Sequence, residues 1–119
     1  MLEKNIGNLT LKGKSGKEYD FTLHLFDSFD DVKDGFNGHG LYIFTKRDAE
    51  MRTHILIYLG MASSLSTRFD SHHKETCIKK NGANCLGIHL MNNSTYESRK
   101  EAESDILAAN DFICNDQEN

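Results

Sequence analysis

The sequence has no proline, no tryptophan and only three cysteines, and it contains no long apolar run. A helix that crosses a membrane needs about 18 consecutive apolar residues or more, so we expect no membrane association. Residues 1–5 also lack the apolar core of a secretory signal. Without proline there is no proline-rich linker, and a chain of 119 residues has room for one compact domain.

The odd number of cysteines means that Cys77, Cys85 and Cys114 cannot all pair within one chain. They show no Cys-x-x-Cys spacing, which is the usual sign of a redox or zinc motif. Disulfides persist in oxidising compartments, so these cysteines favour a reducing interior and a cytoplasmic location. A zinc site built from Cys77, Cys85, His72 and His73 is not favoured, because their spacing matches no zinc finger.

A surplus of basic residues is also missing. The chain has 14 Lys and Arg against 18 Asp and Glu, a net charge of -4, whereas a generic nucleic-acid binder has a basic surface. Residues 101–119 hold six of the acids and no Lys or Arg, which leaves 14 bases against 12 acids, a net charge of +2, in residues 1–100. We therefore expect a slightly basic body with a modest non-specific affinity for nucleic acid that falls with salt.

Five apolar or alternating stretches predict strands. They are Leu9–Leu11, Tyr19–Phe26, Gly40–Thr45, Thr53–Gly60 and Leu86–Met91. The first two are separated by residues 12–17, which are rich in Gly and Lys and predict a hairpin. The third and fourth are apolar on successive positions, as in strands that are covered on both faces, and the fifth is predicted to be a third central strand.

Two helices are predicted around the last of these strands. After Gly60 the apolar period becomes helical, with Ser63 or Ser64 as the N-cap. A second helix is predicted from the capping box Ser94-Thr95-Tyr96-Glu97 to about Ala109. The pattern predicts a small α+β domain with a central antiparallel three-stranded sheet flanked by helices and an extra N-terminal β-hairpin. We assign residues 1–39 to the hairpin extension, 40–115 to the core and 116–119 to a tail.

Two predicted central strands carry Gly40-Leu41-Tyr42 and Tyr58-Leu59-Gly60. Together these triplets resemble the paired motif of the GIY-YIG nuclease family, with leucine in place of isoleucine in each. Arg68 follows the second triplet by eight residues, as the family arginine does, and His72 follows one helical turn later. The joint spacing makes the resemblance more specific than either triplet alone.

The resemblance continues to the C-terminal part of the chain. Glu103 matches the family's helix glutamate, and Asn115 matches its late asparagine. The proline that many members carry before this asparagine is missing here. The resemblance covers residues 40–115, and it implies that the core is a GIY-YIG-type nuclease domain.

The family resemblance implies a metal-dependent endonuclease that hydrolyses phosphodiester bonds in DNA. Glu103 would bind one Mg²⁺ or Mn²⁺, and Arg68 would stabilise the scissile phosphate. Tyr42 would help to activate the attacking water, Tyr58 would hold water or phosphate, and His72 would transfer protons. Gly40, Gly60 and Lys74 are further candidates for substrate binding, and Asn115 would tie the C-terminal segment to the sheet.

The position of Glu103 agrees with such a role. On a helical wheel of residues 95–109, Glu103 lies between Ile106 and Leu107, inside the apolar stripe. A carboxylate on the core side is costly unless it is paired or binds a cation. The structural alternative is an ion pair with Arg99, one helical turn earlier, which would be worth only a few tenths of a kcal/mol on an exposed face.

The two tyrosines have a structural alternative as well. If their strands pair antiparallel with an even register sum, the rings of Tyr42 and Tyr58 lie on one face as diagonal neighbours, about 7–8 Å apart. Buried tyrosines usually pack their rings and satisfy one hydroxyl. As a base, Tyr42 would need a nearby cation, because a free phenol has a pKa near ~10.

A second candidate function has the same fold without catalysis: the chain would be a catalytically silent module that binds nucleic acid or a protein partner. The net charge and the lack of room for a DNA-targeting domain favour this alternative, whereas the full set of candidate side chains favours the nuclease. Without a targeting domain, target selection would depend on the module itself, on homo-oligomerisation or on a partner protein.

Overall fold

The structure, a computed structural model, describes residues 5–28, 31–32, 39–48, 50–51, 53–62 and 74–115. The predicted helix that begins at Ser63 or Ser64 and carries Arg68 and His72 therefore lies almost entirely outside the described residues.

Five strands form one sheet within the described residues. They are β1 (Asn5–Lys12), β2 (Glu18–Leu25), β3 (Gly40–Asp48), β4 (Thr53–Ala62) and β5 (Cys85–Leu90). Their order across the sheet is β1-β2-β5-β3-β4, and every neighbouring pair is antiparallel. The first triplet therefore opens β3, in the interior of the sheet, and the second triplet lies near the end of β4.

The domain is α+β, but the predicted three-stranded central sheet flanked by helices, with an extra N-terminal hairpin packed on it, is wrong. The hairpin of β1 and β2 belongs to the same sheet, because β2 pairs with β5 from Thr22↔Ile88 to Leu25↔Cys85. Three strands alone would leave the backbone groups on the outer edge of β5 unpaired, and β2 satisfies them. The central sheet therefore has five strands among the described residues.

Apolar side chains on both sides of β3 give the sheet two covered faces. The first, which we call the tyrosine face, has a core of Phe26, Val32, Tyr42, Phe44, Ile57, Tyr58, Ile78, Leu86, Ile88 and Cys114. The second, which we call the helix face, has a core of Leu11, Tyr19, Phe21, Leu41, Ile43, Leu59, Ala102, Ile106 and Phe112. Alternation along β3 therefore separates Tyr42 from Leu41 and Ile43.

Two helices pack on these faces. The short helix α1 (Glu75–Lys80) contributes Ile78 to the tyrosine face, and α2 (Tyr96–Ala109) contributes Ala102 and Ile106 to the helix face. Helix α2 lies against β4, β1 and β3. Neither described helix has the length and apolar composition that crossing a membrane requires.

The N-cap of helix α2 is one residue later than the predicted N-cap, Ser94. The N-cap is Thr95, whose Oγ1 accepts a hydrogen bond of 3.0 Å from the N–H of Ser98, while Ser98 Oγ accepts one of 3.2 Å from the N–H of Thr95. Ser94 is engaged elsewhere, because its hydroxyl donates to the Met91 carbonyl and accepts a hydrogen bond of 2.8 Å from Arg99 Nη1. The capping box of α2 is therefore Thr95 with Ser98.

After α2 the chain runs along the outer edge of β4. The N–H of Ile113 donates to the Leu56 carbonyl at 3.3 Å, and the N–H of Cys114 donates to the Ile57 carbonyl at 2.7 Å. These bonds cover part of the edge that the strand order leaves open, which reduces the exposure of unpaired backbone groups there.

A disulfide joins Cys77 of α1 to Cys114 of this C-terminal segment. Cys85 on β5 is a free, buried thiol, and burial raises its pKa. The odd count leaves one cysteine free, but the other two are paired. The cysteines therefore no longer favour a reducing interior, and with that the argument for a cytoplasmic location loses its basis.

Candidate functional site

Strands β3 and β4 bring Tyr42 and Tyr58 together on the tyrosine face. Tyr42 lies opposite Gly60 and Phe44 lies opposite Tyr58, so the two tyrosines are diagonal neighbours, as an even register sum predicts. Their ring centroids are 6.1 Å apart, and their planes are inclined by 41°. Both rings are buried, so they belong to the core as well as to the candidate site.

Gly60 leaves room for the phenol end of Tyr42. A Cβ atom at position 60 would collide with Cζ and Oη of Tyr42, and it would lie 2.8 Å from Cε1. The phenol end of the ring therefore lies over Gly60 of β4, which is an edge strand of the sheet. Glycine at this position permits the close approach of an interior side chain to the backbone of the edge strand.

Glycine is also required at position 40, because the backbone of β5 lies very close to it. A Cβ atom at this position would collide with the carbonyl oxygen of His89 on β5. Gly40 pairs with Leu90 on one side and with Ala62 on the other. We call the part of the sheet formed by Gly40, Ala62 and Leu90 the Gly40 end; the chain continues from Ala62 into residues 63–73.

Glu103 lies on α2 with its side chain 13% exposed, in agreement with its inward place on the helical wheel. Its Oε1 atom forms an ion pair of 3.1 Å with Lys100 Nζ. The alternative partner weighed from the sequence, Arg99, instead donates to Ser94. The Glu103 carboxylate is therefore sheltered and has a cationic partner three residues earlier.

The tyrosines and Glu103 lie on opposite faces of the sheet. The two rings belong to the tyrosine face, whereas α2, which carries Glu103, packs on the helix face. A site that includes both has to reach from one face of the sheet to the other, around an end of the sheet or around the outer edge of β4. Residues 63–73, including Arg68 and His72, follow that edge in the chain and lie outside the described residues.

Glu103 is the described residue that could hold a divalent cation. In the part of the chain that the structure describes, no group of three or more His, Cys, Asp or Glu residues is arranged to hold a metal ion. Mg²⁺, however, is commonly bound by one or two carboxylates together with water and substrate phosphates. Glu103 would be the carboxylate ligand of such a site, and its ion pair with Lys100 would give way to the cation.

Lys74 and Asn115 lie on either side of the disulfide in the chain. Lys74 immediately precedes α1, where its carbonyl accepts a hydrogen bond of 3.0 Å from the N–H of Ile78. Asn115 binds the backbone of Leu59 twice: its Oδ1 accepts from the N–H at 2.7 Å and its Nδ2 donates to the carbonyl at 3.0 Å. Asn115 thus holds the C-terminal segment against β4 one residue before Gly60.

Asp105 on α2 is not singled out by the sequence analysis, but the structure places it in a set of hydrogen bonds. It accepts hydrogen bonds from the N–H and the hydroxyl of Ser15, at 2.8 and 2.7 Å, and from the hydroxyl of Tyr19 at 2.8 Å. The Ser15 hydrogen bonds lower the pKa of Asp105, while burial and the contact with Asp105 raise the pKa of Tyr19 to about 12. Asp105 therefore ties the β1–β2 turn to α2.

From the sequence, Arg99 was expected only as an alternative ion-pair partner for Glu103. Its side chain is 5% exposed, and its Nε atom is buried without a hydrogen-bond partner. The available signal was its spacing from Ala102 and Ile106, which places position 99 on the apolar stripe of α2.

Comparisons of the chain with models of protein families, with curated proteins and with solved structures found no match.

Proposed function

We propose that this chain is a metal-dependent endonuclease that hydrolyses phosphodiester bonds in DNA. The family resemblance of the two triplets, of Arg68 and of Glu103 supports this proposal. The observation that carries it is the pairing of Gly60 with Tyr42. A Cβ atom at position 60 would overlap the phenol of Tyr42, so the tyrosine of the first triplet requires the glycine of the second.

Each candidate residue has a role that its chemistry permits. Glu103 would hold one Mg²⁺ or Mn²⁺, which when bound supplies positive charge beside the phosphate. The planar guanidinium of Arg68 would donate two hydrogen bonds to the non-bridging oxygens and keep its charge at any working pH. Tyr42 would orient or deprotonate the attacking water.

The remaining residues would assist these three. Tyr58 would hold a water or a phosphate oxygen beside Tyr42, and His72 would transfer a proton near neutral pH. Gly40, Gly60 and Lys74 would contact the DNA backbone. A partner protein or a second copy of the chain would direct the enzyme to its target.

Nicking of supercoiled plasmid in Mg²⁺ or Mn²⁺ tests the proposal. We expect the wild type to nick the plasmid, and Glu103→Gln and Tyr42→Phe to lower the rate by about 100-fold or more. Glu101→Gln is the matched control for Glu103, because it makes the same charge change on the exposed side of α2. Tyr96→Phe is the control for Tyr42, since Tyr96 is exposed.

Equal rates for the wild type and Glu103→Gln would refute the assignment of Glu103. Absence of nicking by the wild type on plasmid and on branched or single-stranded DNA would refute the nuclease proposal.

A catalytically silent module remains the second candidate, and the placement of Glu103 favours it. The carboxylate is already paired with Lys100, and it lies on the face opposite the tyrosine rings. Metal titration followed by NMR separates the two functions. A nuclease predicts that Mg²⁺ or Mn²⁺ perturbs the resonances of Glu103 and that Glu103→Gln abolishes the effect, whereas a silent module predicts no saturable change there.

A further inference from the structure

Arg99 is the buried charged side chain of the described residues. Its Nη1 atom donates to the carbonyl of Ser94 at 2.9 Å and to the Ser94 hydroxyl at 2.8 Å. The same atom lies 3.4 Å from Nδ1 of His39. The Nε–H group, on the other side of the guanidinium, is buried and has no hydrogen-bond partner among the described residues.

This arrangement leaves a buried cation without a counter-charge. The groups that Nη1 contacts are a carbonyl, a hydroxyl and an imidazole, and among the described residues no carboxylate pairs with Arg99. Buried charges in proteins are normally paired, because removing an ion from water costs several kcal/mol. An unpaired Nε–H adds the cost of a lost hydrogen bond.

The position of Arg99 in α2 increases the positive potential. Thr95 is the N-cap and Ser98 is the third residue of the helix, so Arg99 is the fourth. The N-terminus of a helix carries a partial positive charge, which favours an anion and disfavours a cation. Lys100, the next residue, does not add to this potential, because its Nζ is paired with Glu103, and Glu97 places an acid in the first turn. The start of α2 is therefore a positive site, and a bound anion would offset the free-energy cost of burying the charge of Arg99.

Arg99 also lies beside the Gly40 end of the sheet. It contacts His39, the residue before Gly40. Tyr42 lies two positions after Gly40 on β3. The N–H of Met91 donates to the His39 carbonyl at 2.7 Å, which fixes this corner to the end of β5. The positive site thus lies at the end of β3 that carries Tyr42, with α2 and the Tyr42 ring on opposite faces of the sheet.

We propose that Arg99 binds a phosphate oxyanion through its Nε–H edge, at the N-terminus of α2. This edge, formed by Nε and Nη2, has the fork geometry that accepts two phosphate oxygens. The assignment of that phosphate to a DNA backbone rests on the proposed function, whereas the oxyanion site itself does not. Arg99 then holds the DNA at the Gly40 end of the sheet.

The resonance of the Arg99 Nε–H group gives a direct test. Uniformly ¹⁵N-labelled wild type is titrated in EDTA with inorganic phosphate and, separately, with a 12-base-pair DNA duplex, and Arg99→Lys identifies the cross-peak. Sodium chloride at equal ionic strength is the control. We expect both probes, but not chloride, to shift the Arg99 cross-peak in a saturable manner.

Duplex binding by variants gives the second measurement. Arg99→Gln should weaken the affinity by about tenfold or more and reduce the salt slope by about one. Arg47→Gln, at the other end of β3, makes the same charge change and should weaken binding by about twofold or less.

The outcomes separate this proposal from the proposed function. An unmoved Arg99 cross-peak with both probes overturns the oxyanion site, and so does equal weakening by Arg99→Gln and Arg47→Gln. A shift with inorganic phosphate alone overturns DNA as the source of the phosphate. Because the measurements use EDTA, they stand whether or not the protein cleaves DNA, and the wild-type titration decides the question if Arg99→Gln does not fold.

Discussion

Gly60 and Tyr42 constrain each other across β3 and β4, because a Cβ atom on Gly60 would overlap the phenol of Tyr42. Gly60→Ala should therefore lower the free energy of unfolding by about 1–3 kcal/mol, the usual cost of overpacking a core. In a Tyr42→Leu background the ring is gone, so the same alanine should cost less by about 1 kcal/mol. Urea unfolding of the four proteins measures this coupling, and an equal cost in both backgrounds would show that the contact does not exist.

Single residues were predictable from the sequence where a local period fixes the direction of the side chain. The diagonal placement of Tyr42 and Tyr58 was predicted for strands that pair antiparallel with an even register sum, which they do. The inward placement of Glu103 follows from the helical wheel. The environment of Arg99 could not be predicted in this way. Its unpaired Nε depends on where Ser94 and His39 lie, and His39 belongs to a strand end 60 residues earlier in the chain.

The link between the β1–β2 turn and α2 depends on one carboxylate. The hydrogen bonds from Ser15 and Tyr19 lower the pKa of Asp105 below its ordinary value of 3.8. A lowered pKa in the folded state stabilises the protein above the unfolded-state pKa, and this contribution is lost as the pH falls through the folded-state value. We therefore expect the melting temperature of the wild type to decrease as the pH is lowered below about 4.

Asp105→Asn tests this link. The variant should be less stable than the wild type at pH 7, and the difference between the two should shrink as the pH falls towards 2. Glu101→Gln, one turn earlier on α2 and exposed, should leave the pH profile of the melting temperature nearly unchanged. Parallel profiles for Asp105→Asn and the wild type would contradict the assignment.

Elements were predictable where apolar periodicity covers several residues, and less so at their ends. Strands β3, β4 and β5 lie where the apolar runs predict them, with β3 and β4 extended by two or three residues. The cap of α2 was misplaced because Ser94 and Thr95 are both good N-caps and only tertiary contacts decide between them. The cysteine pairing was not predictable, since it requires the C-terminal segment to reach α1 across the edge of β4.

The architecture of the whole molecule depends on one pairing that no local pattern contains. The hairpin of β1 and β2 was predicted, but its place beside β5 was not, because the edge of β5 that it covers becomes visible only when the strand order is known. As a result, the apolar residues of β2, such as Phe21, extend the helix face beneath α2. The missing constraint was the need to pair a free strand edge.

The disulfide also links parts of the chain that are distant in the sequence. Cys77 and Cys114 are 37 residues apart in the chain, and the loop between them contains β5 and α2. In the chain-entropy account, closing a loop of this length restricts the unfolded state and adds about 4 kcal/mol of stability. Reduction of the wild type with dithiothreitol should therefore lower its melting temperature by more than about 10 °C.

Serine variants separate loss of the bond from other effects of the reductant. Cys77→Ser/Cys114→Ser should melt close to the reduced wild type and should not respond to dithiothreitol. Cys85→Ala is the control, because Cys85 is unpaired and its variant should keep the full response. Asn115 lies directly after Cys114 and binds Leu59 on β4, so loss of the bond should also raise amide exchange at Leu59. Identical melting and exchange with and without the reductant would mean that the bond does not constrain the fold.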